Sequence, residues 1–177
     1  AVLVTGKESD FFVSAPRMAL SAMLLFHIYE GEAEGEEPSF GRLLEWRGSL
    51  SRADDDVEDA SSFNLGMAAT RAEVEGWPSR ITIGLRQIAT LDFRTRSNVL
   101  ASIDSALKLW LNENVAGVTA RSDFTFDEVF SGAGGLASLY IVVPPFDQQA
   151  FGKVTSLLIE ALTQYLTTAK REKGGPV

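Results

Sequence analysis

Ser138-Leu139-Tyr140-Ile141-Val142-Val143-Pro144-Pro145 is a short apolar, β-branched run closed by two prolines. Such a run fits a strand covered on both faces. Almost everything before it patterns as helix. A lone core strand has no backbone partners, and unpaired buried N–H and C=O groups are costly. The expected fold is therefore mainly α: a multi-helix all-alpha domain over 1–135, then a strand–helix segment over 136–177 that belongs to a neighbouring α/β sheet. One or two short strands are expected in all, with Ala1–Val4 as the second candidate. On this reading the chain is a piece of a longer protein whose remaining strands complete the sheet.

Outward from that run, Asp147 is the expected cap of a final helix. Phe151, Val154, Leu157 or Leu158, Ala161, Leu162 and Tyr165 share one of its faces. On the other side, Gly132, Gly134 and Gly135 form a loop, Phe126–Phe130 a turn of helix, and Val115–Phe124 an irregular stretch. Val99, Ile103, Ala106, Leu107, Trp110 and Leu111 give the clearest amphipathic pattern, with Ser97 or Thr95 as its cap and Asn112–Asn114 as its end. Phe93–Arg96 reads as a break between that helix and an earlier one, which starts at Trp77-Pro78-Ser79 and carries Ile81, Leu85, Ile88 and Leu91 or Ala89.

Further upstream, a helix over Leu65–Val74 ends at Gly76, and Gly66, Ala68 and Ala69 suit close packing. Ser51 caps a short acidic helix from Arg52 to Ala60, and Ser39 starts another over Phe40–Arg47. The first helix has Ser14 as its cap and Pro16 in its first turn, where a missing N–H costs little. It points Met18, Ala22, Leu25 and Ile28 or Tyr29 at the core and stops at Gly31, before an acidic loop over Glu30–Glu37.

The chain has 177 residues, 45% of them hydrophobic, which suffices for a real core. Its formal charge of -8 repels phosphate, so sequence-independent nucleic-acid binding is disfavoured and a basic protein segment is the better partner. Without cysteine there is neither a disulfide framework nor a thiolate zinc site. The best apolar run, Met18–Ile28, falls short of the ~20 residues of a membrane span, and no cleaved signal peptide is recognisable; a cytoplasmic setting is expected.

Candidate chemistry is sparse. Gly6-Lys7 follows an apolar run, but a phosphate loop needs glycine five residues before Gly6 and Ser or Thr after Lys7; Ala1 and Glu8 stand there. His27 is the sole histidine and lies among Leu24, Leu25, Phe26 and Ile28, so it reads as structural rather than as a catalytic base. Trp46, Trp77 and Trp110 read as core anchors. No catalytic, cofactor-binding or metal-binding residue is assigned.

The acidic residues Glu32, Glu34, Glu36, Glu37, Asp54, Asp55, Asp56, Glu58 and Asp59 lack the spaced ligands of a calcium loop. They read either as solvated helix faces or as a docking surface for a basic peptide. Arg94 and Arg96 flank a helix start, where a cation opposes the helix dipole unless it is paired. They read as salt-bridging residues or as contacts to a neighbouring domain or subunit.

A series of motifs runs through the chain in order: Asp10-Phe11-Phe12-Val13-Ser14-Ala15-Pro16-Arg17-Met18, then Arg96-Ser97-Asn98-Val99-Leu100-Ala101-Ser102, Ser122-Asp123-Phe124 with Phe126–Phe130, Leu139-Tyr140-Ile141-Val142-Val143-Pro144, and the helix Leu157–Leu166. This series resembles the type IV secretion coupling proteins, the membrane-anchored hexameric ATPases of bacterial conjugation and effector export. Pro16 is an extra residue type in the first motif, and Glu30–Gly76 matches weakly.

The resemblance implies the all-alpha domain inserted in a RecA-like motor domain between the phosphate loop and the Walker B strand. Gly174-Gly175-Pro176-Val177 would lead to the Walker B aspartate, and both nucleotide motifs would lie outside the chain. The fragment would then hold no cofactor and catalyse nothing alone, ATP and Mg²⁺ being bound by the implied parent at the cytoplasmic face of the bacterial inner membrane. Only a missing N-terminal anchor would touch that membrane. Implied partners are relaxase–DNA complexes or effector proteins with basic translocation signals, and other coupling-protein subunits. The alternative is a stand-alone helical adaptor or ligand-sensing bundle, which requires the Tyr140 strand to be paired within the chain.

Overall fold

Helix α1, Phe11–Glu34, runs on past Gly31 and ends at Gly35. A computed structural model describes residues 11–51, 59–130, 138–143 and 148–172. Gly35 is the residue with positive φ, 71°, and the Glu36 N–H returns to the Gly31 carbonyl at 2.8 Å. That is the hydrogen bond of a glycine-terminated helix end. Gly31 matters for a different reason. A Cβ there would lie 2.6 Å from the Glu36 carbonyl oxygen, so its bareness lets the chain fold back. Pro16 sits in the second turn rather than the first, where it cannot donate to the carbonyl four residues earlier.

The buried face of α1 carries Ala15, Ala19, Ala22, Met23, Phe26 and His27. Met18, expected at the core, is 37% exposed, and of the alternatives Ile28 and Tyr29 it is Ile28 that is exposed, also 37%, and Tyr29 that is partly buried. The helix simply presents a neighbouring stripe, because apolar residues surround much of its circumference and packing alone selects among them.

Helix α2, Phe40–Ser49, begins where expected: the Ser39 hydroxyl accepts the Arg42 N–H at 3.2 Å. The short acidic helix expected over Arg52–Ala60 falls mainly on 52–58, outside the described residues. Helix α3, Ala60–Val74, starts five residues before its expected beginning and has Asp59 as its cap. It ends at Gly76, φ 70°, with the Trp77 N–H on the Ala72 carbonyl at 2.9 Å.

Helix α4, Ser79–Ala89, packs on both α3 and α1. Ala68, Ala69 and Ala72 are the buried small residues of α3, whereas Gly66 faces open space. The closest approach lies on α4 itself: a Cβ on Gly84 would be 2.5 Å from the Ala22 Cβ, so glycine there lets α1 and α4 meet backbone to backbone.

Helix α5, Phe93–Leu107, is capped by Asp92, whose carboxylate accepts the Thr95 N–H at 3.1 Å. The break thus falls at Thr90–Asp92, ahead of the expected position, and Ser97 and Thr95 are not the cap. Val99, Ile103, Ala106, Leu107 and Trp110 are buried as expected; Leu111 is 67% exposed. The chain tightens into a 3-10 turn over Lys108–Leu111. Four residues advance about 480° on a 3-10 helix against about 400° on an α-helix, which rotates Leu111 off the face. Three residues advance about 360°, which sets Trp110 above Leu107. Trp110 also stacks on Phe40 at 4.1 Å between centroids and donates its Nε1–H to the Thr119 hydroxyl at 2.9 Å. Helix α6, Glu113–Val118, capped by Asn112, occupies part of the stretch expected to be irregular.

The chain divides into two compact units, one running to Arg121 and the other starting at Ser122. The expected boundary, 135/136, falls in 131–137, outside the described residues. In the second unit Thr125 and Glu128 form a reciprocal cap, Thr125 N–H to Glu128 Oε2 at 2.6 Å and Glu128 N–H to Thr125 Oγ1 at 3.2 Å. It starts α7, Phe126–Phe130. Helix α8, Gln148–Glu172, brings Tyr165 to Phe126, 5.7 Å between centroids, and its hydroxyl donates to Asp127 at 2.8 Å. Asp147, the expected cap of α8, and Ala1–Val4 lie outside the described residues.

Residues 138–143 are not the expected strand. They carry no regular secondary structure, and Tyr140 and Val142 are 84% and 89% exposed rather than covered on both faces. A strand exists only through its ladder, and no strand occurs among the described residues to pair with it.

Candidate partner-binding surface

A groove of about 410 Å³ opens between α1, α2 and α3. Its apolar lining is Phe26, Trp46, Leu50, Met67 and Ala68, and its polar lining includes Glu30, Asn64 and Arg71. Phe26 is buried and carries two indoles, Trp46 stacked at 5.1 Å and Trp77 edge-on at 5.5 Å. Tyr29 lies 5.9 Å from Trp77, and the Arg71 guanidinium sits 5.8 Å from the same ring. The tryptophans at 46 and 77 are thus half-exposed members of an aromatic cluster beside the groove, whereas Trp110 is 3% exposed and a core anchor.

Met67 is 56% exposed, and Phe63, one turn earlier on α3, is 55% exposed. Residues four apart share a helix face. The polar rim is already organised: the Asn64 amide donates to the Leu50 carbonyl at 3.1 Å and the Ser49 hydroxyl to the Trp46 carbonyl at 2.7 Å. Arg71 reaches Glu30 and Glu34, both at 2.8 Å. Burial raises the Glu30 carboxyl above its ordinary value, against the pull of Arg71.

The glutamates singled out in the sequence gather here. Glu32 and Glu34 lie in the last turn of α1, which has no basic residue of its own. A carboxylate at that end faces the negative pole of the helix dipole. Arg71 of α3 answers Glu34, and Arg42 of α2 pairs with Glu36. Glu32, Glu34, Glu36 and Glu37 are all exposed, so this end of α1 projects negative potential into solvent.

Of the second acidic run only Asp59 is among the described residues. Asp54, Asp55, Asp56 and Glu58 lie outside the described residues. Asp59 lines a separate cleft of about 350 Å³ with Arg47, Phe93, Ser97, Leu100 and Asp104. Arg47 bridges to Asp104 at 2.9 Å, and its buried Nε has no partner among the described residues.

Asp59 and Arg96 are joined. Arg96 is 1% exposed and donates to the Asp59 carboxylate, to the Ser61 hydroxyl at 3.0 Å, to the Ala89 carbonyl at 3.0 Å and to the Leu91 carbonyl. It therefore ties the C-terminal end of α4 to the capped start of α3, and both dipoles favour the charges placed there. A contact from Arg96 to another domain or subunit is not available in this arrangement, because the guanidinium is enclosed within its own unit; Arg94 is exposed. Burial works to raise the Asp59 pKa, but hydrogen bonds from Ser62, Ser61 and Arg96 hold it below the ordinary aspartate value.

His27 is 6% exposed, and neither ring nitrogen has a hydrogen-bond partner among the described residues. Burial lowers its pKa below 6.5, and the nearby positive charge of Arg42 adds to the effect. The fold thus takes His27 neutral, while the unfolded chain takes up its proton near pH 6.5. Stability from this source is full above that pH and is lost as the pH falls below it. Thermal melts between pH 7.5 and 5 are expected to show a falling midpoint, and His27→Gln to flatten the fall; an unchanged slope in the variant would assign it to other groups. Among the described residues no cluster of three or more His, Asp or Glu is placed to hold a metal ion.

A family model described as type IV secretory system conjugative DNA transfer matches residues 3–176. The chain belongs to that family. Membership in the conjugative DNA-transfer family places the chain in type IV secretion and accounts for the ordered motif series. No curated relative and no solved structure matches the chain. No helix among the described residues of this family member is long and apolar enough to cross a membrane.

The acidic run of the conjugative-transfer chain was visible in its sequence, but the groove beside it was not. Trp46 was legible only as an anchor. Met67 carried no signal, because Leu65, Gly66, Ala68 and Ala69 around it pattern as a packing face. Arg71 and Glu30 are 41 residues apart, a pairing that no local pattern announces.

Proposed function

We propose that this chain is the substrate-recruiting helical domain of a coupling ATPase in conjugative DNA transfer. It captures protein cargo, a relaxase bound to its DNA or an effector, through a basic translocation signal. It works at the cytoplasmic face of the bacterial inner membrane beside other coupling subunits. ATP and Mg²⁺ are handled by the motor of the parent protein, and the helical domain hydrolyses nothing alone.

The observation that carries this reading is the placing of the glutamates. Each acidic residue in the last turn of a helix costs about 0.3–1 kcal/mol relative to a favourable arrangement. The end of α1 nonetheless has Glu32 and Glu34 there, with Glu36 and Glu37 just beyond, and keeps them exposed. A surface selected for stability alone would not be built this way; one selected to attract a basic segment would. Such electrostatics speeds encounter and sets register.

The test is binding of a basic translocation-signal peptide to the purified chain across salt. Changing Glu32 and Glu37 to lysine is expected to weaken binding about tenfold at low salt and far less at high salt. Folding should be nearly unaffected, since exposed charges contribute little. If no basic signal binds even at low salt, the recruitment reading fails.

A further inference from the structure

We infer that the α1–α2–α3 groove seats an amphipathic segment of a basic protein partner. One apolar side chain of that segment lodges between Trp46 and Met67, and its basic residues lie along the Glu30–Glu37 end of α1. This localises the recruitment proposed above and rests on that reading.

The groove has the make-up of an anchor site. Its floor is rigid, because Phe26 is buried and clamped between two indoles. Its rim needs no reordering, because Asn64, Ser49 and Arg71 already hold their partners. Its mouth is soft: Met67 is an unbranched, polarizable side chain that adapts to varied occupants. Exposed Phe63 and Met67 serve no core, which α3 builds instead from Leu65, Ala68, Ala69 and Ala72. An aromatic and a thioether left in solvent at one helix face, next to a charged rim, are the usual composition of an interface centre.

Charge selects the occupant. Arg71 couples the groove to the glutamates of α1, so any ligand in the groove lies beside that negative field. A second copy of this chain carries the same charge of -8 and is repelled, as is a nucleic acid. A protein segment with apolar and basic faces satisfies both halves of the surface.

Met67→Glu separates the two contributions. It adds negative charge, so purely electrostatic binding would strengthen, whereas loss of an apolar anchor weakens it. The probe is a labelled synthetic peptide with a leucine face and a lysine–arginine face, compared with a version carrying serine for leucine. The wild-type chain is expected to prefer the leucine peptide by about tenfold or more, and Met67→Glu to abolish that preference at every salt concentration with an unchanged melting midpoint.

Equal binding of both peptides to the wild type, or a preference that survives in Met67→Glu, overturns the proposal. So does self-association, or duplex binding, that depends on Met67. A basic cargo protein assayed alongside keeps the two readings apart. Cargo that binds equally to wild type and Met67→Glu sinks the groove and leaves recruitment standing. A groove that takes the peptide in a chain that takes no cargo sinks recruitment instead.

Discussion

Arg96→Ala is expected to remove about 3–5 kcal/mol of folding stability, the cost of breaking a buried charged network from one side. Arg96 is among the largest fully buried side chains of the molecule. Its guanidinium donates to the Ala89 carbonyl at the end of α4, to the Leu91 carbonyl just beyond it, to the Ser61 hydroxyl and to the Asp59 carboxylate. Alanine removes one donor from each of those acceptors, leaves Asp59 with only Ser61 and Ser62, and opens a cavity beneath the α4–α5 turn. The Ala89 carbonyl, an orphan acceptor at the end of α4, is left with the Ser62 hydroxyl at 2.8 Å.

Arg96→Lys should restore little. Lysine has the charge but not the planar fork that reaches several acceptors at once. The measurement is the urea midpoint, with the slope of the transition held constant to exclude a change in the unfolded state. A shift worth under about 1 kcal/mol would mean that the network is not formed in solution.

Leu107→Ala is expected to cost about 2–5 kcal/mol, the range for deleting a fully buried leucine side chain. Leu107 has no exposed surface and stands at the last α-helical position of α5, where Trp110 comes to lie above it. The indole is pinned by stacking on Phe40 and by its bond to Thr119, so it cannot settle into the cavity that alanine would leave. The contrasting variant is Leu111→Ala. Periodicity assigns Leu111 to the same face, yet it is exposed, and its loss should change stability by less than about 0.5 kcal/mol. Comparable losses at the two positions would mean that the chain continues as an α-helix through Lys108 and that the 3-10 turn is wrong.

Leu111 illustrates a general limit. A helical pattern read from sequence assumes one period throughout; a switch to three residues per turn re-aims everything beyond it. Gly31 illustrates another. Glycine after an apolar run reads as a stop, but the stop is whichever glycine takes positive φ, here Gly35, while Gly31 makes room for the returning chain.

Asp92 in place of Ser97 or Thr95 is a milder case. All three are competent caps. What decides among them is that a start at Phe93 puts Arg96 within reach of the α4 carbonyls. The α1 stripe shifted from Met18 and Ile28 to Ala19, Met23 and Phe26 for the same kind of reason. Gly84 admits Ala22 closely, and Ala22 belongs to both stripes; α1 packs on α4 and α5 with Ala19, Met23 and Phe26 buried beside it.

Taken alone, the sequence was enough for the helical class, the Ser39 cap, the Gly76 stop, the buried faces of α4 and α5, the negative surface and the conjugative-transfer family. Each depends on residues within a turn or two of one another, on total charge, or on an ordered motif series. Tertiary structure alone decided the Arg96 junction, the groove between Trp46 and Met67, and the fate of Ser138–Val143. The junction links Arg96 to Ser61, 35 positions away, and the groove's rim links Arg71 to Glu30, 41 positions away, where no periodicity reports the pairing. The fate of the apolar run follows from what a strand is. Apolar, β-branched residues favour extension, but hydrogen bonds to a second strand make it a strand, and those bonds belong to the partner as much as to the segment itself.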